Sequence, residues 1–268
     1  QINTLHKLVL SIEQKVDNIP LVSNNGSSNI FAMQNLNELL ETNEPFDLLL
    51  YAIETSNVYL IDSILQSYPH LNNEPTLCIG ASIGSTYCAT LIEDNINDIL
   101  KSGDVERIIS ALGGLCNCYT RNDLENEKMK SFLYWIDCAL QLELSNKQKA
   151  QVLVQKERIL SGAGDIDAAL LLAKEILQLN DEDSSYYYNY ALLLKRKNTD
   201  ETMSNAISAV KRMLEIDTIN NENDDDHLQL AYQVLRNSDK QEDKNKAIEC
   251  LKLLEKNSPV KATLAKRN

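Results

Sequence analysis

The 268 residues, 43% hydrophobic and 24% charged, are enough to bury a sizeable core in one large domain or two ordinary ones. Eight Gly and five Pro argue against a turn-rich all-β fold, which needs special backbone geometry at each corner. A formal charge of −13, from 39 acidic against 26 basic residues, argues against nucleic acid as a partner, because an acidic surface repels phosphates.

In chain order, apolar residues at 5, 8, 9, 12 and 16 predict a helix over 3–17. Pro, Gly, Asn and Ser then make residues 18–29 an exposed linker or ordered loop. Short helical segments follow around 31–41, 46–55 and 57–67, and Pro69 and Pro75 bracket a connection. Eighteen uncharged residues, PTLCIGASIGSTYCATLI, separate Glu74 from Glu93. They predict a helix from about 76 to 91, buried on all sides, whose Gly80-x-x-x-Gly84 spacing lets helices approach closely. Thr76, Ser82, Ser85, Thr86 and Thr90 dilute its hydrophobicity, which weighs against a membrane span. A helix over 92–101 closes at Ser102-Gly103, where glycine supplies a left-handed turn, and Asp104 caps the next. No stretch alternates with period two, so the fold class is all-α.

Charge is unevenly spread. Residues 1–100 hold two lysines and twelve acids, a charge of −10; residues 101–268 hold 24 basic and 27 acidic, a charge of −3. An acidic N-terminal face suits a basic protein surface, or solubility alone. The six cysteines, at 78, 88, 116, 118, 138 and 250, include no C-x2-C pair, and His6, His70 and His227 lie near none of them. Cys116-x-Cys118 falls short of the four convergent ligands of a tetrahedral metal site, so neither metal nor cofactor is expected. The apolar, helical surroundings of the cysteines read as reduced core thiols, hence a cytoplasmic compartment. No secretory signal core is visible at the start, and the chain opens on Gln1 rather than Met, as a fragment or processed product would.

Enzyme motifs are absent: there is no P-loop, G-x-G-x-x-G, G-x-S-x-G or H-E-x-x-H. Asn223-Asp224-Asp225-Asp226-His227 lacks the Gly and distal Glu of a calcium loop, and reads as acids complementing a helix N-terminus. Asp165, Asp167, Glu201 and Asp181-Glu182-Asp183 read the same way. With no base in view for a nucleophile, the chain is read as not an enzyme.

The second half repeats. Ala139-Leu140-Gln141-Leu142, Ile176-Leu177-Gln178-Leu179 and Met213-Leu214-Glu215-Ile216 lie 37 and 37 residues apart, and a degenerate copy follows at Leu254, 41 residues on. Each closes the second helix of a helix–turn–helix unit. The first unit reads Ile109-x-x-Leu112-Gly113-x-x-Cys116, then Phe132, Ile136 and Ala139. The second has Leu153 and Leu160, then Ala169, Ala173 and Ile176. The third reads Tyr187-x-x-Tyr190-Ala191-x-x-Leu194, then Ala206, Val210 and Met213. The fourth reads His227-x-x-Leu230-Ala231-x-x-Val234, then Ala247, Leu251, Leu254 and Pro259. Small residues at 113, 169, 191, 206, 231 and 247 let paired helices approach closely.

This pattern resembles the tetratricopeptide repeat (TPR) family, with departures: Lys156 and Glu157 stand in the Leu-Gly place of the second unit, and Phe132 replaces an alanine in the first. The resemblance implies a right-handed α-solenoid with four TPR-like repeats over 104–259, an N-terminal helical region over 1–103 that continues the stack, and a basic end at 260–268. A looser helical repeat, HEAT-like, is the alternative. It further implies a groove lined by first helices, with Arg158 from the second unit, Tyr188, Leu192, Lys195 and Arg196 from the third, and Leu228, Tyr232 and Arg236 from the fourth. The partner is then a peptide or helix of another protein, and the function that of a scaffold or adaptor. Tyr187 and Tyr190 are expected in the core. The clamp of chaperone-tail binders is not matched, since Ser110, Gly114, Val154, Arg158, Tyr188 and Leu192 hold its places and only Arg158 suits a carboxylate. Two other readings stay open: the groove is filled by the chain's own residues from 258 to 268, or the chain is a regulatory or accessory domain of a larger enzyme or complex.

Overall fold

The structure, a computed structural model, describes residues 44–122, 126–222 and 224–267. The helices expected over 3–17 and 31–41 lie outside them. The described residues are all-helical: thirteen α-helices and one 3-10 turn at Pro69–Leu71, with no strand among them. They are α1 Pro45–Glu54, α2 Val58–Ser67, α3 Glu74–Ile83, α4 Thr86–Lys101, α5 Val105–Arg121, α6 Asn126–Ala139 and α7 Asn146–Gly162. The remainder are α8 Ile166–Leu179, α9 Ser184–Lys197, α10 Asp200–Asn220, α11 Asp225–Leu235, α12 Gln241–Asn257 and α13 Pro259–Arg267.

Local chemistry sets most boundaries. Asn73 accepts from Thr76 N–H at 3.1 Å to start α3, with Pro75 in the first turn. Ser145 and Gln148 close a reciprocal capping box on α7, and Thr199 and Thr202 do the same on α10. Asp104, Asp165, Asp183 and Asp224 each accept from backbone N–H groups at a helix start, the role read for such acids from sequence.

One expectation is corrected here. The uncharged run is not a single helix. Gly84 takes φ +118° and closes α3, and Ser85 Oγ then accepts from Cys88 N–H at 3.0 Å to start α4, which runs on unbroken to Lys101. Glycine at 84 therefore terminates a helix, a conformation costly for residues with a Cβ, and does not serve a packing stripe.

The chain divides into two compact units. One contains the described residues up to Asn97 with Gly113–Asn122; the other contains Asp98–Leu112 with the residues from Asp123 onward. In the first, α1, α2 and α3 pack on one another. Ser85 is fully buried beside Cys88 and Cys118, and its hydroxyl donates to Asp62 Oδ1 at 2.5 Å. Burial pushes the Asp62 carboxyl up, against the pull of that hydrogen bond. In the second unit each helix from α6 onward packs on the next, α9 also touches α11, and α11 touches α13. Ala169, Ala191, Ala206, Ala231 and Ala247 lie in the buried core with Val210, Met213, Val234 and Leu254. Phe132, Ile136 and Ala139 are buried in α6. Tyr187 and Tyr190, expected as core, are only half-buried at its edge, and Tyr186 is the buried member of that run.

Two glycines should respond oppositely to alanine. A Cβ at Gly114 would sit 2.9 Å from the Cys78 carbonyl oxygen, which is backbone and cannot swing away, so Gly114→Ala should lose about 2 kcal/mol. A Cβ at Gly162 meets nothing within 4 Å, so Gly162→Ala should gain roughly 0.5 kcal/mol through helix propensity. Denaturant midpoints of the two variants check both signs.

Candidate functional site

The expected groove residues fall on α7, α9 and α11, all within the second unit. On α9, positions 188, 192 and 195 repeat at helical spacing and so share one face. Tyr188, Leu192 and Lys195 are half-buried there, and Arg196 beside them is exposed. Tyr232 and Arg236 on α11 and Arg158 on α7 are half-buried as well. Leu228 differs: only 5% of it is exposed, and it belongs to the core with Leu230 and Leu235. Residues 225–235 turn that position inward, so it offers no side chain to a partner.

Side chains tie the three helices and α13 together. The Arg196 guanidinium reaches α7, donating to Ser161 Oγ at 2.6 Å and to the Ser161 carbonyl at 3.3 Å. Lys195 Nζ reaches α11, donating to Gln233 Oε1 at 2.5 Å. Arg236 lies over the Tyr232 ring, 5.3 Å from its centroid, and donates to the Ala265 carbonyl of α13 at 3.4 Å. The Tyr188 ring stacks on that of His227, with centroids 5.1 Å apart and planes 26° from parallel. His227 Nδ1 lies 2.9 Å from Asp217 Oδ2, and both residues are buried. Tyr188 thus places one ring face against His227 and stays half-buried.

Electrostatics along this row is unusual for an acidic protein. Burial lowers the Lys195 ammonium's pKa, and the Arg236 charge lowers it further. Burial raises the Tyr188 hydroxyl's pKa, helped by Asp226 and Asp224. Glu157, next to Arg158 on α7, is 3% exposed, and its Oε2 has no hydrogen-bond partner. Burial pushes its carboxyl up to about 7, against the opposing influence of Arg158 and Arg196. Sequence reasoning noted Glu157 only as a departure at a Leu-Gly place. A charged residue where the repeat sets a small one was the signal of a buried carboxyl. Ser161 and Gln233 were missed, and no sequence pattern marks them. Lys156, the other departure, pairs with Asp137 at 2.8 Å.

Residues 259–267 do not lie as a loose basic tail. They form α13, which packs on α11 and α12, buries Ala262 and Ala265, and adds one more helix to the row. Lys261 holds Asp226 at 2.8 Å, and Lys266 holds Glu255. A separate open cleft of about 550 Å³ lies among helix ends of the same unit, lined by polar residues including Lys147, Asn180, Glu182, Asp183 and Glu222. Among the described residues no group of three or more His, Cys, Asp or Glu could hold a metal ion, and no helix is long and apolar enough to cross a membrane. No protein-family model matches the chain, and no curated protein matches it either.

Glu157 should make stability depend on pH. Its carboxyl titrates at an ordinary 4.5 when unfolded and at about 7 when folded, so ionisation opposes folding above pH 4.5, fully so above pH 7. The penalty at high pH is about 3 kcal/mol, from 1.36 kcal/mol per unit. Glu157→Gln should therefore stabilise the protein at about pH 8 and have little effect near pH 4.5, as urea unfolding at the two values would show.

Proposed function

We propose that this chain is a protein–protein interaction scaffold or adaptor whose helix pairs stack in series as a TPR-like right-handed α-solenoid. It binds a segment of a partner, extended or helical, across α7, α9 and α11, in a cytoplasmic setting and without chemistry of its own. Serial packing of the helices and burial of small residues at the repeat positions support the fold part of the reading. The observation that carries the function is the row itself. Arg158, Tyr188, Leu192, Lys195, Arg196, Tyr232 and Arg236 leave aromatic, aliphatic and cationic surface on alternate helices, and the side chains of two of these helices are linked by Lys195 and Gln233. Aromatic and arginine side chains are the usual anchors of protein interfaces.

The test is capture from native lysate with the tagged chain as bait, beside an Arg158→Ala, Tyr232→Ala double variant whose thermal melt matches the parent. A stoichiometric partner held by the parent and released by the variant is the expected outcome. Equal retention by both places the contact elsewhere. A bait that stays clean favours the rival reading, an accessory domain of a larger enzyme or complex.

A further inference from the structure

Three cations of the row, Lys195, Arg196 and Arg236, take uncharged acceptors. Elsewhere in the second unit, lysines take carboxylates: Lys149 pairs with Glu175 at 2.9 Å, Lys156 with Asp137, Lys197 with Asp167, and Lys211 with the buried Asp243. Lys195, Arg196 and Arg236 make no ion pair among the described residues. They donate to a glutamine amide, a serine hydroxyl and two backbone carbonyls, all uncharged acceptors. Arg196 and its neighbour Lys197 show the contrast within one turn of helix: the second finds Asp167 and the first does not.

Lys195 and Arg236 are also crowded together. Lys195 is half-buried and pressed by the Arg236 charge, which disfavours its charged form. The acids whose charges reach the row include Glu157, whose Oε2 is buried without a hydrogen-bond partner, and Asp224 and Asp226 beside Tyr188; among the described residues none of them forms an ion pair with Lys195, Arg196 or Arg236. A carboxylate arriving from outside would meet several charge-assisted donors at once, and would relieve the repulsion between Lys195 and Arg236.

We propose that the segment bound across α9 and α11 is an acidic peptide of a partner protein, its Asp or Glu side chains received by Lys195, Arg196 and Arg236 and its apolar ones by Leu192 and Tyr232. The inference rests on the groove reading above and adds the chemistry of the occupant. Apolar surface interleaved with the cations fits a side-chain-bearing peptide better than a sugar–phosphate backbone, and the protein's overall charge opposes a polyanion as long as a nucleic acid. An extended peptide of about eight residues, at about 3.3 Å each, is about 26 Å long and more than crosses two helices packed roughly 10 Å apart.

Fluorescence anisotropy on the full chain tests this, using dye-labelled peptides of alternating Glu and Leu, and of alternating Gln and Leu, of that length. The Glu peptide should bind at least about tenfold tighter, and added salt should erode the difference. Lys195→Gln, Arg196→Gln and Arg236→Gln combined should bring the Glu peptide down to the level of the Gln peptide. The exposed control set Lys174→Gln, Lys244→Gln and Lys252→Gln, which changes net charge equally, should not. Circular dichroism melts confirm that both sets fold. If both peptides bind alike, and Leu192→Ser releases them, the groove stands and the acidic occupant is overturned. If neither binds, or the control set weakens the Glu peptide as much as the row set, the proposal and the groove both fall. Displacement of the Glu peptide by an equally charged oligonucleotide at matched concentration would overturn it in favour of a phosphate ligand.

Discussion

How close two helices can lie is decided by the smallest residue at their crossing, and in the second unit that residue is usually alanine. Ala169, Ala191, Ala206 and Ala231 are fully buried, and Ala247 nearly so. With only a methyl group at each crossing, α9 nests on α10, α10 on α11, and α11 on α12, while large neighbours such as Met213 and Leu254 fill the flanks. The same close packing draws α9 to α11 and α11 to α13, although neither pair is adjacent in sequence. The links among α9, α11 and α13 follow from that second-neighbour contact, which brings Lys195 to Gln233 and Arg236 to the Ala265 carbonyl.

The site's polarity follows from the same constraint. Drawing helices together buries whatever polar groups stand near the crossings, and each needs a partner or loses its charge. Asp243 keeps its charge, because Lys211 and the Ser238 hydroxyl both serve it and hold its carboxyl below the usual range. Asp217 takes His227. Glu157 has the charges of Arg158 and Arg196 nearby but no hydrogen bond at Oε2, and burial dominates. Two buried carboxyls, Asp243 and Glu157, thus shift in opposite directions because of what stands opposite them. Lys195, Arg196 and Arg236 are the converse case, served by dipoles where charges would suit them better.

Much of the architecture was legible in the residues. Helical spacing, rare Gly and Pro and the lack of period-two alternation pointed to an all-α chain, and the described residues are all-helical. Acids placed just before helices capped them, because a carboxylate near free backbone N–H groups has one dominant use. The misreading at 76–91 has a clear cause. Composition there was uniformly uncharged, and the break depended on one glycine adopting φ +118° with a serine behind it, a choice between packing and termination that spacing alone does not make. The side chains of the row came from the repeat register that the resemblance implied, and that register says nothing of their hydrogen-bond partners. Ser161 and Gln233 stand 35 and 38 positions from the cations they serve, and nothing local marks such a pairing. Leu228 was misjudged because helical spacing gives an angle around the axis, not the depth of the neighbour it meets.

Helix α5 has a bearing on how this protein can be taken apart. Its first residues count with the second compact unit and its last with the first, so the backbone passes from one unit to the other three times: after Asn97, after Leu112 and after Asn122. A single scission between Asn97 and Asn122 therefore leaves at least one unit without one of its stretches. Dissection by truncation would report on broken pieces, and point substitutions in the intact polypeptide are the sound route to assigning roles. Limited proteolysis would find no clean seam between Asn97 and Asn122, and a gene for the first unit alone would need Asn97 joined to Gly113 through a new linker.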